Sequence, residues 1–434
     1  MKKLITQSII LISLMASSSV YAKTQIQFWH AMEGELGDEV AKLSKEFNAT
    51  QTDYEIIPVF KGTYEENMAT SIAAFRAKKG PTITQVFEVG TATMMAAKGA
   101  IFPVHELSSK FNIPIDAKDY LPAVAGYYSD SQGRLISMPF NSSTPVLYFN
   151  KDLFKKAGLD LNPPQTWEDL QIAAAKLKEI GSCGLTAQYQ SWTLLENFSA
   201  WHGLALTTQN NGFDGFDAKF MLNTPTHLHH LKFLQDMSKN GEFTYGGRGD
   251  NATSRFISGN CAMLISSSGS RAGIESEVKF KYGIGMMPYY ASVAGAPQNS
   301  IIGGASLWVL AGKSDEEYKG TIHFFKFLGS AKVGAYWHQK TGYLPVTFAA
   351  YEQSKQDGFY EKNPGSDMAI KQITNKPPLS FTRGIRLGNF LQIRVVVDEA
   401  FEKLWSNKAT PADVIKEIET KSDALLRKFE KTVK

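Results

Sequence analysis

Hydrophobic and polar positions along residues 25–140 change period repeatedly, from runs of four to seven apolar or β-branched residues to stretches with apolar positions three and four apart. Ile26 to Trp29 predicts a buried strand. Glu35 to Phe47 predicts a helix with Leu36, Val40, Leu43 and Phe47 on one face, and Tyr54 to Phe60 predicts a second strand. Met68 to Lys78 reads as helix, Ile83 to Val86 as strand and Ala92 to Ala97 as helix, an alternation that implies an α/β domain with a largely parallel sheet. Ligands of such sheets lie at the carboxyl ends of the strands, here near Trp29-His30, Lys61 to Tyr64 and Phe87 to Gly90.

The segment Pro139 to Asn150 is polar at its start and strand-like afterwards, the pattern of a crossover into another domain. A helix-rich block follows, opened by Thr166 as the N-cap of Trp167-Glu168-Asp169-Leu170 and interrupted by the turn Asn210 to Gly215. Strand character returns at Cys261 to Ile265, Ile284 to Pro288 and Ser306 to Leu310, which implies a return to the first domain. The remainder reads as helix except for Gly342 to Pro345 and the β-branched run Ile393 to Val397.

Met1-Lys2-Lys3, a mostly apolar run to Met15 and the small-residue end Val20-Tyr21-Ala22 together make a secretory signal peptide over residues 1–22. Ser17-Ser18-Ser19 and earlier polar residues leave the run too short to span a bilayer. Without Lys2 and Lys3 the chain is almost neutral, since its 46 basic and 42 acidic residues differ by four; with no basic block, nucleic acid is an unsuitable partner. The 27 Phe, 17 Tyr and 7 Trp suit a core and a ring-walled cleft. In an oxidising compartment the two cysteines, Cys183 and Cys261, are free to pair as one structural disulfide.

Enzyme signatures are missing. Gly312-Lys313-Ser314 lacks the glycine that a phosphate loop needs at position 307, which is Leu307, and there is no nucleophile elbow. His227, His229 and His230 lack an adjoining acidic partner and read as a solvated helical face rather than a metal site. Glu33, Glu35 and Glu88 would be the carboxylates of a secreted phosphodiesterase or glycosidase, but nothing in the sequence sets the separation such chemistry requires.

Pro145 to Lys151, Pro164 to Leu170 and Phe256 to Met263, in that order and spacing, resemble the extracellular solute-binding proteins of ABC importers in the maltodextrin-binding class. Phe28 to Glu35, Asn141 to Pro145, Ile301 to Trp308, Trp337 to Pro345 and Gly388 to Val397 are similar to the glycerol-3-phosphate-binding members of that class. The resemblance implies a two-lobed α/β periplasmic-binding-protein fold of class II type, its ligand cleft between lobes joined by hinge strands and closing on the ligand. The expected lobes are 23–142 with 265–330, and 143–264 with 331–434. It also implies a periplasmic receptor without cofactor or chemistry, delivering sn-glycerol-3-phosphate or a glycerophosphodiester to an inner-membrane ABC permease and its ATPase subunits. An oligosaccharide receptor is the alternative on the same fold.

Carried onto this sequence, the family's ligand contacts fall on Tyr64, Glu88, Ser143, Ser267, Gly304, Tyr343 and Arg394. Their chemistry suits a phosphate ester of glycerol: Arg394 supplies charge, Ser143, Ser267 and the Gly304 amide supply neutral donors, and Tyr343 adds a phenol. Glu88 accepts from glycerol hydroxyls while Tyr64 walls the ligand. The family places a tryptophan wall near the glycerol; around Tyr189 to Trp192 this chain offers Tyr189 in that role.

Overall fold

The computed structural model describes residues 22–434, so the signal-peptide reading of 1–22 lies, but for Ala22, outside the described residues. Among the described residues no helix is long and apolar enough to cross a membrane.

Two sheets organise the chain. The first contains β1 (Thr24–His30), β2 (Tyr54–Phe60), β3 (Ile83–Phe87), β4 (Met138–Ser143) and β9 (Gly303–Val309) in the order β2-β1-β3-β9-β4. β1 pairs in parallel with β2 and β3, whereas β9 runs antiparallel to both β3 and β4. The second contains β5 (Pro145–Asn150), β6 (Cys183–Ala187), β7 (Cys261–Ser267) and β8 (Tyr282–Gly285) in the order β6-β7-β5-β8. All six residues of β4 and all six of β5 are buried, because each of these strands is covered on both faces. Only Thr144 separates them, so a single residue carries the chain from one sheet to the other.

The early pattern is realised closely: Val40, Leu43 and Phe47 are the buried side of helix Gly34–Thr50, and the helix read at Met68 starts four residues sooner, at Tyr64, where Thr63 closes a capping box with Glu66. Thr166 caps the helix Trp167–Glu179 by accepting from the Asp169 amide at 3.0 Å.

Other expectations are corrected. The chain does not rejoin the first sheet at residue 265: β7 and β8 flank β5 in the second sheet, and the return is made by β9. Strand character identifies a strand without revealing its neighbour, and β7 and β8 pair with β5. Residues after 330 do not all leave the first sheet either. Trp337 stacks on Phe140 of β4 with ring centroids 4.7 Å apart, and the Leu344 amide donates to the Ser142 carbonyl at 2.7 Å. The run Ile393 to Val397 lies within helix Phe390–Trp405, where Ile393, Val397, Ala400, Phe401 and Leu404 recur at helical spacing and are buried. Packing on that face overrides the β-branched preference. The histidine cluster is no solvated face: His227 and His230 are buried in helix Pro225–Lys239, and His230 lies flat on Phe198 at 3.6 Å. Among the described residues no cluster of three potential metal ligands occurs.

Cys183 and Cys261 sit opposite each other in the parallel pair β6/β7, their Cα atoms 4.3 Å apart and their sulfurs bonded.

Candidate ligand site between the two sheets

The site grows from the ends of β3, β4, β7 and β9 and from two helices that cross toward them. Tyr64, the first residue of its helix, accepts a hydrogen bond from the Asn141 side chain at 2.8 Å and stacks on Phe87 at 5.3 Å with the rings 4° from parallel. Burial pushes its phenol well above the ordinary range, and Tyr343, beside it, is raised for the same reason. Both rings therefore remain neutral hydroxyls at physiological pH. Tyr343 lies against Gly269, where an added Cβ would stand 2.5 Å from its ring.

Ser143 is opposite Gly303, and Ser142 opposite Gly304, in the β4/β9 ladder. Gly304 has φ +94°, and a Cβ at that position would fall on the Asn141 carbonyl oxygen, so glycine is required by both backbone and space. Ser267 ends β7; its hydroxyl oxygen accepts from the Gly269 amide at 3.0 Å, which leaves the hydroxyl proton to donate elsewhere.

Tyr189 and Trp192 introduce the turn from β6. Tyr189 adopts φ +41° and is 37% exposed, while Trp192 is buried, with its indole against Gly303 of β9. A Cβ on Gly303 would stand 2.5 Å from that ring. Among the described residues the indole Nε1 has no hydrogen-bond partner. Trp192, three residues after Tyr189, thus has its indole against β9. Residues Ser191–Glu196 form a π-helical turn, an irregularity that redirects successive side chains by one position.

At its end that turn delivers the residue the sequence reading missed. Glu196 grips Arg394 with two bonds, Nε to Oε1 at 2.8 Å and Nη2 to Oε2 at 2.7 Å. Glu88, in the turn after β3, takes Nη2 as well, at 2.7 Å. The three side chains are 13%, 4% and 7% exposed for Arg394, Glu196 and Glu88. Burial alone would lower the guanidinium's pKa, but the two carboxylates hold it above its ordinary value. Burial conversely raises Glu196, with Arg394 opposing. Arg394 Nη1 forms no hydrogen bond among the described residues.

Asp398, one helical turn beyond Arg394, is not its ion-pair partner. Burial pushes the Asp398 carboxyl up to about 6, with Arg394 and Ser191 pulling the other way. The signal for Glu196 was present in the sequence: an acidic residue set in Trp192-Thr193-Leu194-Leu195-Glu196-Asn197-Phe198 has to be either exposed by a break in the helix or paired in the interior.

The arrangement offers a charged edge, neutral hydroxyls and aromatic walls at the junction of two sheets. Tyr127 ties the junction from behind, its hydroxyl 2.9 and 2.7 Å from the carbonyl oxygens of Glu88 and Ile385. Residues 42–366 match the family model for bacterial extracellular solute-binding protein. The chain is 54% identical over 428 residues to the sn-glycerol-3-phosphate-binding periplasmic protein UgpB of Yersinia pseudotuberculosis, covering 98% of this chain and 97% of that one. It is 53% identical over 432 residues to the protein of the same name from Escherichia coli, with 99% and 98% covered. Among solved structures, UgpB of Mycobacterium tuberculosis in complex with glycerophosphocholine superposes with a TM-score of 0.78 at 22% identity, covering 94% of this chain and 99% of the other. The cyclic alpha-maltosyl-1,6-maltose binding protein of Arthrobacter globiformis gives 0.75 at 21% identity, with 94% and 100% covered. The fold is therefore that of the two-lobed solute-binding proteins, and the chain belongs to the bacterial extracellular solute-binding protein family.

Proposed function

We propose that this protein is a periplasmic receptor that captures sn-glycerol-3-phosphate, and glycerophosphodiesters with it, and delivers the ligand to an inner-membrane ABC permease with its ATPase subunits. The observation that carries the reading is Arg394: a buried guanidinium held by two carboxylates, with Nη1 unengaged by the described residues at the junction of the two sheets. The near-full-length likeness to two proteins named for binding glycerol-3-phosphate supports the same ligand.

In this reading the phosphate accepts from Arg394 Nη1, the Ser143 and Ser267 hydroxyls, the Gly304 amide and the Tyr343 phenol. The glycerol hydroxyls turn to the second oxygen of Glu88, with Tyr64, Tyr189 and Trp192 as walls. One lobe is built on the first sheet, including β9, and the other on the second. Ligand touching both would favour the closed form by its differential contacts. No bond is made or broken in the ligand.

Calorimetry on mature protein, unfolded and refolded to remove copurified ligand, tests this with glycerol-3-phosphate and maltose. The proposal expects one-to-one heat from the phosphate ester and silence from maltose. Heat from maltose alone would move the protein to the oligosaccharide receptors, and turnover of any glycerophosphodiester in the same sample would contradict a pure binding role.

A further inference from the structure

Arg394 is more than neutralised before any ligand arrives. Two of its donor positions are committed to Glu196 and another to Glu88, and all three side chains are largely withdrawn from water. A buried pair of this kind is weakly screened by salt. We propose that Glu196 is a specificity-determining positioning residue: it turns the guanidinium so that Nη1 faces the ligand, and its charge makes the site accept a singly charged phosphate in preference to a doubly charged one. The inference rests on the phosphate-receptor reading above.

The physical argument begins with charge. Glu88 and Glu196 together outweigh Arg394, so an incoming phosphate meets a cluster whose sum is already negative. The remaining donors named for the phosphate are neutral. A second negative charge on the ligand then finds no uncommitted cation in the cluster and is repelled by two fixed carboxylates. A phosphodiester, or a monoester carrying one proton, avoids that repulsion.

The groups facing the cluster reinforce the sign. On Arg394's own helix, Asp398 is a third acidic group, itself near Arg248, which pairs with Glu402 at 2.6 Å. From the first lobe, Tyr127 and Tyr128 face Glu88, and burial raises both phenols so that they stay neutral. Arg386, the other nearby cation, is spent on backbone carbonyls of Gly126, Tyr127 and Ser129. Phe390 adds only a ring, 5.2 Å from the Arg394 guanidinium carbon.

The test compares two ligands of nearly the same size whose charges respond differently to pH. Glycerol-3-phosphate loses its second phosphate proton near pH 6, whereas its methyl ester keeps a single charge throughout. Glu196 and Asp398 titrate as well: their protonation toward acid pH relieves the repulsion of a doubly charged ligand more than that of a singly charged one, so it moves the ratio in the same direction. For the unmodified protein, the ratio of monoester to methyl ester is expected to rise at least about tenfold from pH 5 to pH 8, a tenfold change being the effect of about 1.4 kcal/mol. Glu196→Gln is expected to remove most of that rise. A ratio that stays flat with pH, or binding of the monoester with none of the methyl ester, would overturn the proposal. If Glu196→Gln does not fold, the pH series on the unmodified protein decides alone. If neither ligand binds at any pH, it is the receptor reading that fails.

Discussion

Arg394 carries the largest consequence of any single side chain. Removing it takes away the charged edge for the ligand and leaves Glu88 and Glu196 buried without their cation. Loss of one partner from a buried pair costs about 3–5 kcal/mol, and in binding the loss of a buried charge partner costs about 2–5 kcal/mol. Arg394→Ala is therefore expected to show both a lower denaturation midpoint and several kcal/mol weaker binding of glycerol-3-phosphate by calorimetry; unchanged affinity would contradict its role. Arg394→Lys should rescue poorly, because an ammonium cannot reproduce the two-bond fork to Glu196. Gly304→Ala is expected to destabilise the protein by more than about 1 kcal/mol in thermal unfolding, since alanine at φ +94° is strained and its Cβ meets the Asn141 carbonyl. At this scale Ser143, Gly304, Tyr343 and Arg394 were open to carry-over because each stands in a distinctive string, whereas Tyr64, Glu88 and Ser267 lie outside those strings. Glu196 was legible only as an acidic residue within an apolar run; its partners Arg394 and Glu88 lie 198 and 108 positions away, and nothing local says which cation it meets. The reach of Trp192 to Gly303 escaped for the same reason.

At the level of elements, the helix Pro225–Lys239 and the turn opposite it bury three histidines. His202, His227 and His230 pack around Phe198, and burial lowers His202 and His227 to about 4 and pulls His230 well below the ordinary histidine value too. The folded form therefore holds these rings neutral. Their full stabilising contribution is present above the unfolded histidine pKa of about 6.5 and is lost as pH falls toward the folded values. Urea midpoints are expected to drop progressively from pH 6.5 to pH 4, and replacement of His227 by Asn should flatten that slope even where it lowers the midpoint. The Cys183–Cys261 bridge closes a sequence separation of 78 residues between neighbouring strands. Its reduction is expected to cost about 2–5 kcal/mol in denaturant unfolding, with no free thiol counted before reductant. The helices of the first 100 residues were legible because amphipathic period and caps agree. Strand β8, Tyr282–Gly285, was legible only in part, since its strand character was read two residues late at Ile284 to Pro288; the helix over Ile393 to Val397 was not, because it owes its form to the core beneath Ile393 and Val397 rather than to local preference.

For the whole molecule, the decisive feature is how few residues join the sheets. β4 and β5 meet across Thr144, and the later return through β9 sets Gly303 and Gly304 beside Ser142 and Ser143. The sequence disclosed two α/β units and the first crossover, because a polar stretch gives way to strand there. It did not disclose where the chain returns, since β7, β8 and β9 share the same strand character and only pairing distinguishes them. Glu88 follows β3 of the first sheet and Glu196 follows β6 of the second, and Arg394 pairs with both; in the proposed reading ligand binding and lobe closure then act on the same charged cluster. The central claim is that this cluster receives the phosphate of glycerol-3-phosphate. A crystal structure of the mature protein grown with glycerol-3-phosphate tests it most directly. The account predicts the phosphate within hydrogen-bond distance of Arg394 Nη1 and the glycerol hydroxyls on Glu88; a ligand whose phosphate lies away from Arg394 would contradict it.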